Sequence, residues 1–144
     1  MARASYLEVN SGASNFKLKV ENIAAARTLT AADSGKVFIL SQADAYSVTL
    51  PTAAAAGAGW SAKFVLGTAG SNAVEVIPNS AEDTLIGTVV SADGAAGASA
   101  ESGVDQLIWV ASTAAVGDSA EIVCDGLNFY VSGQMHDAGH ITLS

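Results

Sequence analysis

Short runs of alternating apolar and polar residues recur along the whole chain, and no helical period of apolar residues persists. A period of two places successive side chains on opposite faces of a β-strand. Clusters of Asp, Ser and Gly at 33–35, 92–94 and 117–119 separate the runs and mark turns. The pattern predicts an all-β fold: a compact antiparallel β-sandwich or barrel of about nine short strands with an extended N-terminal arm.

Several runs are specific enough to assign as strands. Lys36–Ser41 is almost continuously apolar, which is typical of a strand buried on both faces. Phe38, Phe64 and Phe129 are expected to supply much of the core volume, because 59 of the 144 residues are Ala, Gly or Ser. The other predicted strands are residues 16–20, 47–50, 62–66, 74–76, 84–90 and 107–111. Residues 91–103 are low in complexity and are predicted to form a long loop.

Asp125 and Gly126 form the strongest hairpin signal in the chain, because a type I′ turn needs residues that tolerate positive φ. A two-residue loop at these positions would put all the apolar residues of the two strands on one face. The predicted pairs on that face are Cys124 with Leu127, Ile122 with Phe129, and Ala120 with Val131.

Charge is divided unevenly along the chain. All six basic residues lie in the first 63 positions, whereas residues 64–144 hold ten acids and no Lys or Arg, and the net charge is −8. Such a chain repels phosphate groups, so we predict no binding to nucleic acid or to membranes. We assign residues 1–25 to an N-terminal arm that docks on another protein subunit and residues 26–144 to a single β domain. The mildly basic arm is either an ordinary solvated strand or a segment that docks on an acidic partner.

The cellular location follows from the N-terminus and the cysteine content. The first 15 residues contain Glu8 and no apolar stretch, so they do not resemble a signal peptide. Cys124 is the single cysteine, which excludes a disulfide scaffold. We therefore expect synthesis in a cytosol.

Known catalytic patterns are not met. Residues 57–62 match G-x-G-x-x-A by letter, but a strand follows them, whereas a dinucleotide site requires a helix there. Residues 97–101 approach G-x-S-x-G and lack its last glycine. Glu82, Asp83 and Asp93 fit solvated turns better than a calcium loop. We predict no enzyme activity, no catalytic residue and no cofactor.

His136 and His140 are the two histidines of the chain, spaced four residues apart with Gly139 between them. We predict two exposed polar residues on a C-terminal loop and no metal site within one chain. The alternative is a metal ion on an oligomer axis to which each subunit contributes one histidine. Among the aromatic residues, Trp60, Trp109 and Tyr130 are candidates for exposed partner contacts, although a half-buried tryptophan is the commoner outcome for a sheet.

Four segments together resemble small β-domains of tailed-bacteriophage virion proteins. They are TLTAADSGKVFILS at 28–41, SVTLP at 47–51, GAGWSAKFVL at 57–66 and CDGLNFYVSG at 124–133. In those proteins an L-T-x-x-D-x-G-K turn leads into a buried strand, a V-T-L-P strand follows, and a D-G-x-x-[WF]-Y hairpin closes the domain. The resemblance covers roughly residues 28–133, and its turn and strand motifs carry no catalytic residues.

Capsid decoration (cement) proteins and fibre modules both have sequences of this style. The chain is short and has no heptads or shaft repeats, which favours decoration. The resemblance implies a structural protein of the virion, made in the host cytoplasm, that binds the major capsid protein on the capsid exterior and stabilises the capsid, often as a homotrimer. The alternative is a head- or tail-fibre module that recognises a host receptor or glycan.

An N-terminal arm is the part of such a protein that we expect to make the capsid contact. An extended, alternating segment can add a strand to an exposed sheet edge of the shell. The candidate contact residues are Tyr6, Leu7, Val9, Phe16, Lys17, Leu18, Lys19 and Val20.

Overall fold

A computed structural model describes residues 17–81 and 83–144 of the chain. These residues form twelve β-strands, one 3₁₀ turn at Ala31–Asp33 and one short helix, α1, at Ala53–Ala56. The strands are β1 Val20–Ile23, β2 Arg27–Thr28, β3 Lys36–Ser41, β4 Tyr46–Thr49, β5 Ala58–Thr68, β6 Val74–Ile77, β7 Leu85–Ser91, β8 Ala98–Val104, β9 Leu107–Trp109, β10 Ser119–Asp125, β11 Phe129–Met135 and β12 Ile141–Leu143. The all-β prediction is confirmed, whereas the predicted number of strands was too low.

The described strands form two mixed sheets, so the prediction of a purely antiparallel fold is wrong. One sheet has the order β1-β3-β5-β10-β11-β7-β8, and the other has the order β12-β9-β6-β4-β2. From β1 to β7 the chain alternates between the sheets at every step, so neighbours within a sheet are joined by a crossover and run parallel. Antiparallel pairs occur in the hairpins β7–β8 and β10–β11 and also between strands distant in sequence, namely β5 with β10, β6 with β9 and β9 with β12. The arrangement of the sheets as a sandwich or barrel stays a prediction.

One hydrophobic core draws buried residues from both sheets. Phe38, Phe64 and Phe129 are fully buried, as predicted, and the Phe38 and Phe64 rings stack at 5.4 Å between centroids. Phe64 of the seven-stranded sheet also contacts Trp109 of the other sheet, with the ring centroids 6.3 Å apart. The core is therefore continuous across the two sheets, and tryptophan contributes to it.

Trp60 and Trp109 are both buried, which corrects the suggestion that they are exposed contact residues. The Trp60 indole N–H donates to the carbonyl of Thr30, and that of Trp109 donates to the carbonyl of Asp118. A buried tryptophan needs such a partner for its one polar atom. Alternation did not indicate the burial of Trp109, because β9 has only three residues and is apolar on both faces.

The β10–β11 hairpin is present, but its register differs from the prediction by two residues. Cys124 pairs with Phe129 and Ile122 with Val131, so the two loop residues are Gly126 and Leu127. Gly126 has a φ of 97°, which suits the first position of a type II′ turn. A change of two residues keeps the strand side chains on their faces, so the rest of the predicted apolar face is buried, whereas Leu127 falls in the turn and is 75% exposed, which corrects its place on that face.

The Asp125 side chain explains the shift in register. Its Oδ1 accepts hydrogen bonds from the backbone N–H groups of Leu127 and Asn128, at 2.8 and 2.7 Å. This arrangement holds Asp125 at the end of β10 and moves the turn one residue along the chain.

Residues 91–103, predicted as a loop, contain most of strand β8. The strand forms a hairpin with β7 through a turn of small residues. A Cβ atom at Gly97 would lie 2.1 Å from the carbonyl oxygen of Val89, so the close approach of the two chains requires glycine there. The small residues that suggested a loop are therefore the ones that allow this hairpin to form.

The predicted N-terminal arm lies only partly within the described residues. Tyr6, Leu7, Val9 and Phe16 fall outside them, together with the rest of residues 1–16. Residues 17–19 precede β1, and β1 itself pairs in parallel with β3. The last residues assigned to the arm therefore belong to the seven-stranded sheet.

Candidate functional site

The start of the described chain forms an exposed edge of the seven-stranded sheet. β1 is the first strand of that sheet, and residues 17–20 just before and at its beginning are all exposed. Leu18 is 69% exposed and Val20 is 59% exposed, and the exposed Lys17 and Lys19 lie on either side of Leu18. Two apolar side chains beside an open strand edge are a typical surface for contact with another protein chain. Four of the candidate contact residues thus come together here.

A network of ion pairs holds this edge on the domain. The Arg27 guanidinium lies 2.5 Å from a Glu21 carboxylate oxygen and 3.0 Å from one of Asp33. The Lys36 ammonium lies 2.6 Å from Glu21 and 2.7 Å from Asp33. The two acids and two bases belong to β1, β2, the 3₁₀ turn and β3, so the network joins four successive elements.

Asp33 is the buried member of the network and also closes the turn before β3. Its Oδ2 accepts a hydrogen bond from the Thr30 N–H at 2.9 Å. Burial would raise the pKa of Asp33, but the Lys36 ammonium and the Thr30 N–H outweigh it and lower that pKa. Hydrogen bonds from Lys36 and Arg27 lower the pKa of Glu21, and hydrogen bonds to Asp33 and Glu21 raise the pKa of Lys36. The Asp and Lys of the L-T-x-x-D-x-G-K turn thus have a structural role, which is to fix the base of the N-terminal edge.

A second cluster, centred on Asp118, was not predicted from the sequence. The Asp118 side chain is fully buried in the segment between β9 and β10. Its Oδ1 accepts from the N–H and the Nδ1 of His136, at 2.8 and 2.6 Å. Its Oδ2 accepts from the Ala115 N–H at 2.7 Å and from Nδ1 of His140 at 2.8 Å. An ionised carboxylate only accepts, so both imidazoles carry a proton on Nδ1.

The Asp118 cluster joins the end of β11, the start of β12 and the loop before β10. Burial would raise the pKa of Asp118, but hydrogen bonds from Ala115, His136 and His140 lower it overall. The side chain of His140 is largely buried, which corrects the prediction that both histidines are exposed. The sequence signal was an Asp in a Gly-Asp-Ser turn, which looks the same whether the carboxylate is solvated or buried.

The remaining acids considered as calcium ligands serve local turns. Asp93 accepts from the Ser91 hydroxyl and the Ala95 N–H, and Asp83 accepts from the Ala53 N–H. Glu82 lies outside the described residues. Within the described residues, no three His, Cys, Asp or Glu side chains come together as ligands for one metal ion.

The concave parts of the described surface are shallow and open. One hollow of about 420 Å³ lies along β7, β8 and the turn between them, and one of about 280 Å³ lies on β5, β10 and β11. The second includes Lys63 and Glu121. The glycine-rich stretch at 57–62 does not lead into a helix: Gly57 ends α1 and β5 follows at once.

Tyr130 and Cys124 lie on opposite faces of the β10–β11 hairpin. Tyr130 is exposed, pairs with Val123 across the strands, and donates its hydroxyl to Asp125 at 3.1 Å. Cys124 is a buried free thiol, and burial raises its pKa. Of the three aromatic residues suggested as contacts, Tyr130 alone is exposed.

No helix in the described part of the chain has the length and apolar character needed to cross a membrane. Comparison with known proteins gives no match to a family model, to a curated protein or to a solved structure.

Proposed function

We propose that this protein is a structural component of a bacteriophage virion that binds the outside of the capsid and stabilises it. In this proposal the partner is the major capsid protein, and residues 1–20 make the contact. The protein is made in the host cytoplasm, acts as a homotrimer on the capsid exterior, and performs no catalysis. The basis is the resemblance of residues 28–133 to small virion β-domains, together with the surface at the start of the described chain.

The observation that carries the proposal is the exposed apolar pair Leu18 and Val20 at the open edge of β1. Among the described strands β1 pairs with β3 alone, and exposed hydrophobic side chains on such an edge strand favour strand addition to a partner sheet. The ion pairs of Glu21, Arg27, Asp33 and Lys36 hold the base of this segment, so that little order would have to be gained there on binding. The same N-terminal segment contains, before Leu18 in the sequence, the candidate contacts Tyr6, Leu7, Val9 and Phe16.

Binding by such a segment gains strength from repetition. A single strand addition offers a handful of main-chain hydrogen bonds and two or three side-chain pockets. When a trimer is seated on a local symmetry axis, the second and third contacts become intramolecular and the avidity rises steeply. A decoration protein stabilises a shell in this way, because each bound trimer links neighbouring capsid subunits.

The test uses expanded capsids of the phage that encodes the chain. We expect the full-length protein to co-sediment with these shells and to raise the temperature at which they break. L18S/V20S removes the exposed apolar pair and leaves the ion pairs behind it intact, so it should fold but lose both effects, as should a variant that lacks residues 1–16. Val116→Ser is the control, because Val116 is also an exposed apolar residue, at 57%, and lies between β9 and β10. Full binding by the truncated protein would refute the assignment of the contact.

The alternative of a receptor-binding fibre module has less support. It relied on exposed aromatic residues, and Trp60 and Trp109 are buried. Tyr130 alone remains available for stacking on a sugar ring, and its hydroxyl already donates to Asp125.

A further inference from the structure

The outer face of the seven-stranded sheet carries few charges where the adjacent strands β3, β5, β10 and β11 lie side by side. On these strands the residues that alternate with the buried ones are uncharged except Lys63, Glu121 and Asp125. Asp125 lies at the end of β10, where its carboxylate accepts from two N–H groups of the turn that follows. A sheet face in contact with water is usually polar, whereas the centre of a protein interface is depleted of charge. The composition of this face is therefore typical of a covered surface.

Lys63 and Glu121 lie together in the middle of this face. They are direct cross-strand partners on β5 and β10, and both are exposed. No ion pair among the described residues involves either of them. Beside them the hollow of about 280 Å³ opens over the small residues Ser119, Ser132 and Gly133. The face thus presents one positive charge, one negative charge and room for a further side chain.

A second copy of the same chain matches this arrangement of charges. A two-fold axis that runs parallel to the strands, above the face and midway between β5 and β10, would place β5 of each copy over β10 of the other. Rotation about this axis leaves the position along the strands unchanged. Because Lys63 and Glu121 are at the same level on the two strands, each Lys63 would face Glu121 of the other copy. The strands of the two sheets stay aligned, as is common when sheets pack face to face about 10 Å apart.

The area of the face is sufficient for a specific contact. Four strands about 4.8 Å apart and about seven residues long, at about 3.4 Å per residue, cover roughly 450 Å² in projection. Side chains roughen the surface and raise its accessible area above the projection, so two such faces together reach about the 1,000 Å² that a specific protein contact needs. In this arrangement β3 of each copy lies over β11 of the other, which covers the half-buried Val37 and Ile39.

We propose that the outer face of the seven-stranded sheet pairs with the same face of a second copy around this two-fold axis. Each Lys63 enters the hollow of the other copy and binds Glu121 there, so the pair contains two equivalent Lys–Glu contacts. Such a contact is isologous, because both copies use the same surface. It involves neither β1 nor residues 1–20, so it leaves the surface of the proposed capsid contact free and does not depend on the proposed function. On a shell it would join neighbouring trimers across a two-fold axis.

Charge reversal at the two positions tests this contact in the free protein. The measurement is the mass in solution by light scattering at several concentrations, with circular dichroism to verify folding. The wild type should form an assembly with an even number of the 14.4 kDa chains. K63E and E121K each set like charges against each other in both contacts and should weaken self-association by about tenfold or more. D105K is the control, because it makes the same charge change as E121K at an exposed residue between β8 and β9, away from this face, and should associate as the wild type does.

Two combinations give the decisive results. The swapped variant K63E/E121K restores opposite charges in both contacts and should associate as the wild type does. In an equal mixture, E121K brings two positive side chains and K63E two negative ones to the face, so mixed pairs should form.

Three results would overturn the proposal: a wild type that is monomeric at every concentration or contains an odd number of chains, self-association of K63E and E121K at the wild-type strength, or a swapped variant and a mixture that stay monomeric although folded. The variant that lacks residues 1–16 should still pair, since the contact lies on β3, β5, β10 and β11. Loss of capsid binding with retained pairing would therefore separate this contact from the contact with the shell.

Discussion

Replacement of Asp118 by Asn is the sharpest test of the structural account. Each oxygen of the buried carboxylate accepts two hydrogen bonds. Oδ1 accepts from the backbone N–H and the ring Nδ1 of His136, and Oδ2 accepts from the Ala115 N–H and from Nδ1 of His140. Asparagine has nearly the same shape but keeps one acceptor oxygen and presents an NH₂ group in place of the other. Whichever way the amide is oriented, its NH₂ group would face two N–H donors that the carboxylate oxygen had accepted.

The expected loss follows from the number of bonds. A hydrogen bond to a charged group contributes about 1.5–3 kcal/mol, so two such losses amount to about 3–6 kcal/mol. Because the exposed ring of His136 can turn towards water, we expect about 3 kcal/mol, towards the lower end. For a domain of this size that corresponds to a fall of roughly 10 °C in Tm.

Chemical and thermal unfolding of the wild type and D118N would measure this difference. Asp44→Asn is the matched control, because Asp44 is exposed between β3 and β4, away from the Asp118 cluster, and should change stability by less than about 0.5 kcal/mol. If D118N unfolds within about 1 kcal/mol of the wild type, the buried carboxylate does not hold the three segments together and the reasoning is wrong.

Four further measurements test other parts of the structure. Since the folded pKa of Asp118 is lowered, the stability difference between wild type and D118N should be complete above the ordinary value of 3.8 and should shrink as the pH falls through the folded pKa, as acid titration of unfolding would show. Asp33→Asn breaks two ion pairs of a buried carboxylate and should cost about 1–3 kcal/mol in urea unfolding; an unchanged midpoint would mean that these ion pairs do not stabilise the turn before β3. Gly87→Ala would place a Cβ 1.9 Å from the carbonyl oxygen of Val131 and should cost about 3 kcal/mol or more in thermal unfolding, so an alanine variant of wild-type stability would contradict the β7–β11 pairing. Cys124 should react with a thiol reagent only when the chain opens, at a rate that rises with denaturant; rapid labelling of the native protein would show that the thiol is not buried.

The sequence was informative wherever a short-range rule determines the structure. Alternation identified the buried faces of β5 and β6. The bounds of Lys36–Ser41 are those predicted, but the expectation that this strand is buried on both faces is wrong, because Phe38 and Leu40 are buried whereas the other face is half-buried. The Asp-Gly pair located the β10–β11 hairpin. Its register was wrong because the side chain of Asp125 binds two backbone N–H groups, and turn propensities do not represent such a bond.

Long-range arrangements were not predictable in the same way. The alternation of β1–β7 between two sheets produces the parallel pairs, and each strand looks the same locally whichever sheet it joins. The burial of Trp109 and the meeting of Asp118 with His136 and His140 depend equally on contacts between distant segments. At the candidate surface, the alternating pattern predicted exposed lysines. The ion pairs behind them could be identified only from the structure.

Electron cryo-microscopy of expanded shells mixed with the protein tests the central proposal most directly. We predict density on the outer surface of the shell, with the segment before β1 lying along a capsid strand, and bare shells when residues 1–16 are removed. Shells that remain bare with a saturating amount of the full-length protein would contradict the proposed function.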